Sequence, residues 1–148
     1  MSEYIHKSHN VSVLLYHIVC PAKYRKIVFS KTVDKEIKEI CIEIAKRYDI
    51  QFLEIGSDQD HLHFLVQSVP MYSPTKVVQT IKSITAREIF RRVPEVKKQF
   101  WGGEFWTKGY FISTIGIHGN EETIQKYIKE QGTEKEYKII HKEQLKLF

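Results

Sequence analysis

The chain has 148 residues, 42% of them hydrophobic, which suits a single domain (1–148) built around one core without staples. Its two cysteines, Cys20 and Cys41, stand at no metal-like spacing and make no disulfide framework, so a reducing, cytoplasmic setting is expected. MSEYIHKSHN lacks the apolar core of a signal peptide, and no apolar run approaches the ~20 residues of a membrane span. The net charge of +5 is a mild basic bias, compatible with a polyanionic partner without requiring one.

In chain order, Val11 to Val19 is apolar and β-branched and predicts a central strand, with Pro21 ending its ladder and CPAKYRK forming a basic loop. Thr32 to Tyr48 carries Val33, Ile37, Ile40, Cys41, Ile44 and Ala45 at helical spacing. Gln51–Ile55 and His61–Val69 are two further strands, hairpinned through Gly56–Asp60. A second helix starts at Pro74, is carried by Val77, Val78, Ile81, Ile84, Ile89 and Phe90, and ends at Pro94. After the aromatic, Gly-rich Phe100–Trp106, a strand over Tyr110–Ile117 is expected to hairpin with Glu104–Thr107 through Lys108–Gly109. Asn120 is a fitting N-cap for a last helix running to about Gln131, which Gly132 stops. Residues 133–148 mix charge with Ile139, Ile140, Leu145 and Leu147, as a docking helix or a mobile tail would.

This order predicts an α+β, ferredoxin-like (RRM-like) fold. Its first and third strands are neighbours in the middle of an antiparallel sheet. Helices cover one face and leave the other to carry a site.

Within the third strand, DHLHF spaces two histidines by two residues. Leu62, Phe64 and Val66 then share one face, while His61, His63, Leu65 and Gln67 share the other. Both imidazoles point the same way and can ligate one cation, with Asp60 orienting one of them from behind. Two satisfied histidines on a half-exposed face is the plainer alternative. No HExxH helix or cysteine pair offers further ligands. His17 and His118 could contribute, although a lone histidine is ordinarily structural.

In IQKYIKEQ, Tyr127 and Gln131 lie four apart on one helical face. Gln131 can offer a carbonyl oxygen to a metal, and Tyr127 a phenol oxygen as nucleophile. On spacing alone the favoured account is an ordinary buried stripe of Ile124, Tyr127 and Ile128. Lys23, Arg25 and Lys26 in the first loop, and Lys76, Lys82, Arg87, Arg91 and Arg92 on or past the second helix, are individually solvated charges that together could line a phosphate track. Of these, Lys23, Arg25, Lys76, Lys82 and Arg87 are the candidate DNA contacts. Phe100, Trp101, Phe105, Trp106, Tyr110 and Phe111 could stack bases, with apolar packing the default for most.

YHIVCPAKYRKIVF, DHLHF, FWGGEFWTKGYFISTIG and IQKYIKEQG, in that order and at this length, resemble the single-tyrosine HUH transposases, the TnpA-type enzymes of insertion sequences that move as single-stranded DNA. The resemblance spans Val11 to Gly132. It implies that His61, His63 and Gln131 bind one divalent cation, Mg²⁺ or Mn²⁺, and that Tyr127 forms a covalent 5′-phosphotyrosine with DNA without ATP. It also implies a homodimer in which the tyrosine helix of one protomer serves the partner's site, with hairpins at the element's ends as the DNA recognised. Gly116 and Gly119 are candidate hinges for that helix. Gln59-Asp60 stands where relatives often have Pro-Asp.

Three rivals belong beside it. An RNA-recognition-type module would display aromatics on the third strand, where this chain has His-Leu-His-Phe. A water-using hydrolase on His61, His63 and His118 would need no tyrosine. A catalytically idle or hairpin-processing relative would bind single-stranded nucleic acid without transposing it.

Overall fold

The computed structural model describes residues 5–7, 10–12 and 14–115. The expected last helix with Tyr127 and Gln131, the tail, His118 and the two candidate hinge glycines lie outside the described residues.

The elements, in chain order, are β1 (Ile5–Lys7), β2 (Asn10–Ser12), β3 (Leu14–Pro21), α1 (Lys31–Arg47), β4 (Gln51–Ser57), β5 (His61–Ser68), α2 (Pro74–Arg92), α3 (Pro94–Gln99) and β6 (Phe111–Ile115). β1 and β2 pair with each other. The remaining strands form an antiparallel sheet in the order β4-β5-β3-β6, so β3 and β5 are the central pair expected of a ferredoxin-like fold.

Alternation on the central pair decides the two faces. Ile18, Cys20, Leu62, Phe64 and Val66 pack into the main core with Val33, Ile37, Ile40 and Ile44 of α1 and Val77, Val78, Ile81 and Ile89 of α2. Ser30 caps α1, its hydroxyl accepting from the Val33 N–H at 3.2 Å. Ser73 caps α2 through the Lys76 N–H at 3.0 Å, with Pro74 in the first turn. Arg92 ties the two helices together, lying within 3.0–3.6 Å of carboxylate oxygens of Glu36, Glu39, Glu43 and Glu88.

The first strand lies where Val11–Val19 predicts it, as β2 and β3 among the described residues, and it ends at Pro21, whose register partner is His61. The second helix ends at Arg92, ahead of Pro94, which opens the short α3. One sequence expectation is corrected. Glu104–Thr107 does not hairpin with the following strand. Trp106 bridges Ala22, the Thr107 N–H donates to the Pro21 carbonyl at 3.0 Å, and β6 then pairs with β3 itself. Both segments thus lie one after the other along β3. Burial explains the preference. Phe105 and Trp106 are only 1% and 5% exposed, Phe105 packs against Phe29, Phe90 and Phe100, and the Trp106 indole N–H donates to Thr85 at 2.9 Å. A hairpin would pull those rings out of the core.

Candidate metal centre

Every β5 residue beyond His61 is buried, so the histidine face is covered as well as the apolar one. His63 is 3% exposed, and Gln67, His17 and Glu54 are buried in the same way. Their shared face follows from register. Gly56 stands opposite His63 and Glu54 opposite Leu65 on one side, while Val19 opposes His63 and His17 opposes Leu65 on the other. A bulge at Leu53, between the Phe52 and Glu54 pairings, brings Glu54 level with Leu65.

The two imidazoles are held differently. The His61 Nδ1–H donates to Asp60 Oδ1 at 2.7 Å, which leaves Nε2 as the nitrogen able to bind a cation; Asp58 Oδ2 lies 3.6 Å from it. His63 Nδ1 is 3.1 Å from His17 Nε2, with the two rings stacked at 5.3 Å. His63 Nε2 is buried and has no hydrogen-bond partner. In the tautomer whose Nδ1–H donates to His17, that Nε2 carries a lone pair with no hydrogen-bond partner. An orphaned buried acceptor is costly, about 1–3 kcal/mol, and calls for an explanation. A cation shared with the His61 ring, whose centroid is 4.7 Å away, would supply one.

The electrostatics suit ligation. Burial, and behind it the neighbouring imidazoles of His61 and His17, pulls the His63 pKa down to about 4. Burial lowers that of His17 as well. His63 is therefore neutral at pH 7, the state that binds a metal. Asp60 is held below the usual carboxylate range, first by its hydrogen bond with His61 and then by Arg25. Among the described residues, no three His, Cys, Asp or Glu side chains are grouped to hold a metal. The pair needs a further donor from elsewhere.

Sequence reasoning placed His61, His63 and Asp60 together, as they are found. It treated His17 as a spare ligand or a structural residue, and the structure sets it against His63. The diagonal of two antiparallel strands makes that contact, and only the β3–β5 register reveals it. The candidate DNA contacts separate into two groups. Lys23 pairs with Glu104 at 3.0 Å and Arg25 with Asp60 at 2.8 Å. Lys76, Lys82 and Arg87 line a groove of about 880 Å³ along α2, with Lys108, Tyr110 and Tyr48 on its walls. There the Lys82 ammonium donates to the Thr107 carbonyl at 2.7 Å and lies over the Tyr110 ring. Of the aromatics, Phe100, Phe105 and Trp106 are buried, while Trp101, Tyr110 and Phe111 are exposed.

The four-stranded sheet with its helices has counterparts of known structure. A crystal structure of a protein from Deinococcus radiodurans R1, described as a transposase, superimposes with a TM-score of 0.66 and 27% identity over 86% of this chain and 98% of that one. The fold is also shared, at a TM-score of 0.53 and 8% identity, by a REP-associated tyrosine transposase bound to a REP hairpin, over 86% of this chain and 68% of that one. The model of the family described as "Transposase IS200 like" matches residues 10–131, and the chain belongs to that family. Among its relatives, the ISDra2 transposase TnpA of Deinococcus radiodurans is 31% identical over 118 residues, 80% of this chain and 84% of the relative. The IS200 transposase of Salmonella typhimurium is 28% identical over 116 residues, 78% and 75% respectively. No described helix is long and apolar enough to cross a membrane.

Proposed function

We propose that this transposase cleaves and rejoins single-stranded DNA at hairpin-bearing element ends, through a covalent 5′-phosphotyrosine on Tyr127 and without ATP. The observation that carries the reading is the buried, unpartnered Nε2 of His63, whose ring lies 4.7 Å from that of His61. The Nε2 atoms of His61 and His63 and the Gln131 carbonyl oxygen would hold one divalent cation. Mixed nitrogen and oxygen donors suit Mn²⁺ at least as well as Mg²⁺. Bound there, the ion would withdraw charge from the phosphate oxygens and offset charge developing in the transition state.

The chain's own residues do the rest. Asp60 and His17 each take the second ring nitrogen of a ligand imidazole, which sets tautomer and direction. A phenol has a pKa near 10 and is a poor nucleophile at neutral pH, so Tyr127 must lose its proton as it attacks. Its oxygen bonds to phosphorus, the P–O3′ bond breaks, and the departing oxygen takes a proton to become a 3′-OH. Another 3′-OH can reverse the step and join new ends, because the phosphotyrosine retains the energy of the diester. The α2 groove, with Lys76, Lys82 and Arg87, offers phosphate contacts, and a homodimer with the tyrosine helix acting in trans completes the proposal. The hairpin in the REP-associated structure supports a folded single strand as substrate.

A covalent-adduct gel tests this. Single-stranded DNA carrying the gene's flanking hairpins is mixed with protein and Mn²⁺ or chelator, and run under denaturing conditions. A metal-dependent shifted band, absent with Tyr127→Phe and with duplex DNA, is expected. Cleavage that survives Tyr127→Phe would make water the nucleophile, and binding with no adduct under either metal would make the protein a binding module.

A further inference from the structure

We infer that Arg25 is a positioning residue for His61, acting through Asp60; the inference rests on the metal-site reading above. Three side chains form a continuous line. Arg25 Nε donates to Asp60 Oδ2 at 2.8 Å and Nη2 to Oδ1 at 3.4 Å, and the same Oδ1 accepts from His61 Nδ1 at 2.7 Å. The guanidinium fork fixes the plane of the carboxylate, and the carboxylate fixes the ring. His61 requires such control because a second carboxylate, Asp58, lies 3.6 Å from its other nitrogen. A ring poised between two carboxylates turns toward whichever is better held.

The backbone is arranged to deliver this contact. Tyr24 and Arg25 adopt φ of 59° and 52°, the only positive-φ residues other than glycine among the described residues. Two consecutive left-handed, non-glycine residues persist only where the surroundings hold them. Here the Ala22 N–H donates to the Asp60 carbonyl, the Lys23 N–H to the Phe105 carbonyl and the Arg25 N–H to the Ala22 carbonyl, at 2.8, 2.8 and 2.9 Å. Lys23 pairs with Glu104 and the Tyr24 hydroxyl reaches the Trp101 carbonyl. The loop is thus fastened both to the turn before β5 and to the aromatic segment. A phosphate-binding arginine on an open loop would need none of this. The strained turn sets the guanidinium against the carboxylate behind the metal ligand.

The test uses the full chain without DNA. Mn²⁺ affinity is measured by electron paramagnetic resonance for wild type, Arg25→Gln, Arg25→Lys and His61→Ala, and the His61 tautomer is read from ¹⁵N shifts. Loss of an orienting partner typically weakens metal binding about 10–100-fold, and Arg25, one bond further out, is expected to give ~3–10-fold in Arg25→Gln. Arg25→Lys should fall between, because it keeps the charge and loses the fork. The His61 Nδ1–H tautomer, uniform in the wild type, should become mixed in Arg25→Gln. Single-stranded DNA affinity in chelator should stay unchanged. Wild-type Mn²⁺ affinity and an unchanged tautomer in Arg25→Gln would overturn the inference. So would lost DNA affinity with metal binding intact, which would make Arg25 a phosphate contact. If His61→Ala binds Mn²⁺ as well as wild type, the metal-site reading fails instead, and the tautomer still decides the role of Arg25.

Discussion

The two faces of β5 are equally buried and chemically opposite. On one, Leu62, Phe64 and Val66 pack into one apolar cluster with residues of α1 and α2. On the other, His63 and Gln67 are just as enclosed, yet His63 keeps a polar atom with no protein partner. Burial alone therefore does not separate a core from a site. The separation lies in whether the buried atoms are satisfied. The apolar face is complete as it stands, and the proposed cation would complete the histidine face.

The comparison is broken most severely at Phe64. Truncating this fully buried ring to alanine should cost about 3–5 kcal/mol of stability, while the folded fraction retains its Mn²⁺ affinity; chemical denaturation with parallel metal titration reads both. His63→Ala should do the reverse, weakening Mn²⁺ binding by at least about 100-fold, beyond the ordinary effect of an orienting residue, with a small change in denaturation midpoint. His17→Phe should fall next, at about 10-fold in metal affinity, because His63 Nδ1 loses its hydrogen-bond partner and with it the contact that orients the ring.

The smallest effect is one of pH. The folded pKa of His63, about 4, lies below the unfolded value of 6.5, so the unfolded chain binds more protons between the two. In the metal-free protein this contribution to stability is fully present above pH 6.5 and is lost as the pH falls toward 4. The decline should be shallower in His63→Phe, as denaturation midpoints across that range will show.

Much of this comparison was legible in the residues. Period-2 alternation in HLHFLVQ separated the faces correctly, and helical spacing, with the proline start of the second helix, placed α1 and α2 within a residue or two. What escaped was non-local. Glu104–Thr107 looked like a hairpin arm because Lys108–Gly109 makes a good turn, and only the pull of Phe105 and Trp106 into the core reassigned it to β3. His17 looked solitary because its partner lies 46 residues away. Arg25 looked like a free cation because nothing local announces that two left-handed residues will turn it onto Asp60.

The most direct measurement is anomalous diffraction from crystals of the full chain soaked in Mn²⁺. The account predicts a single peak within bonding distance of both His61 Nε2 and His63 Nε2, with Asp60 and His17 still holding the opposite nitrogens. A peak bound elsewhere, or none while His63 Nε2 remains unpartnered, would contradict it.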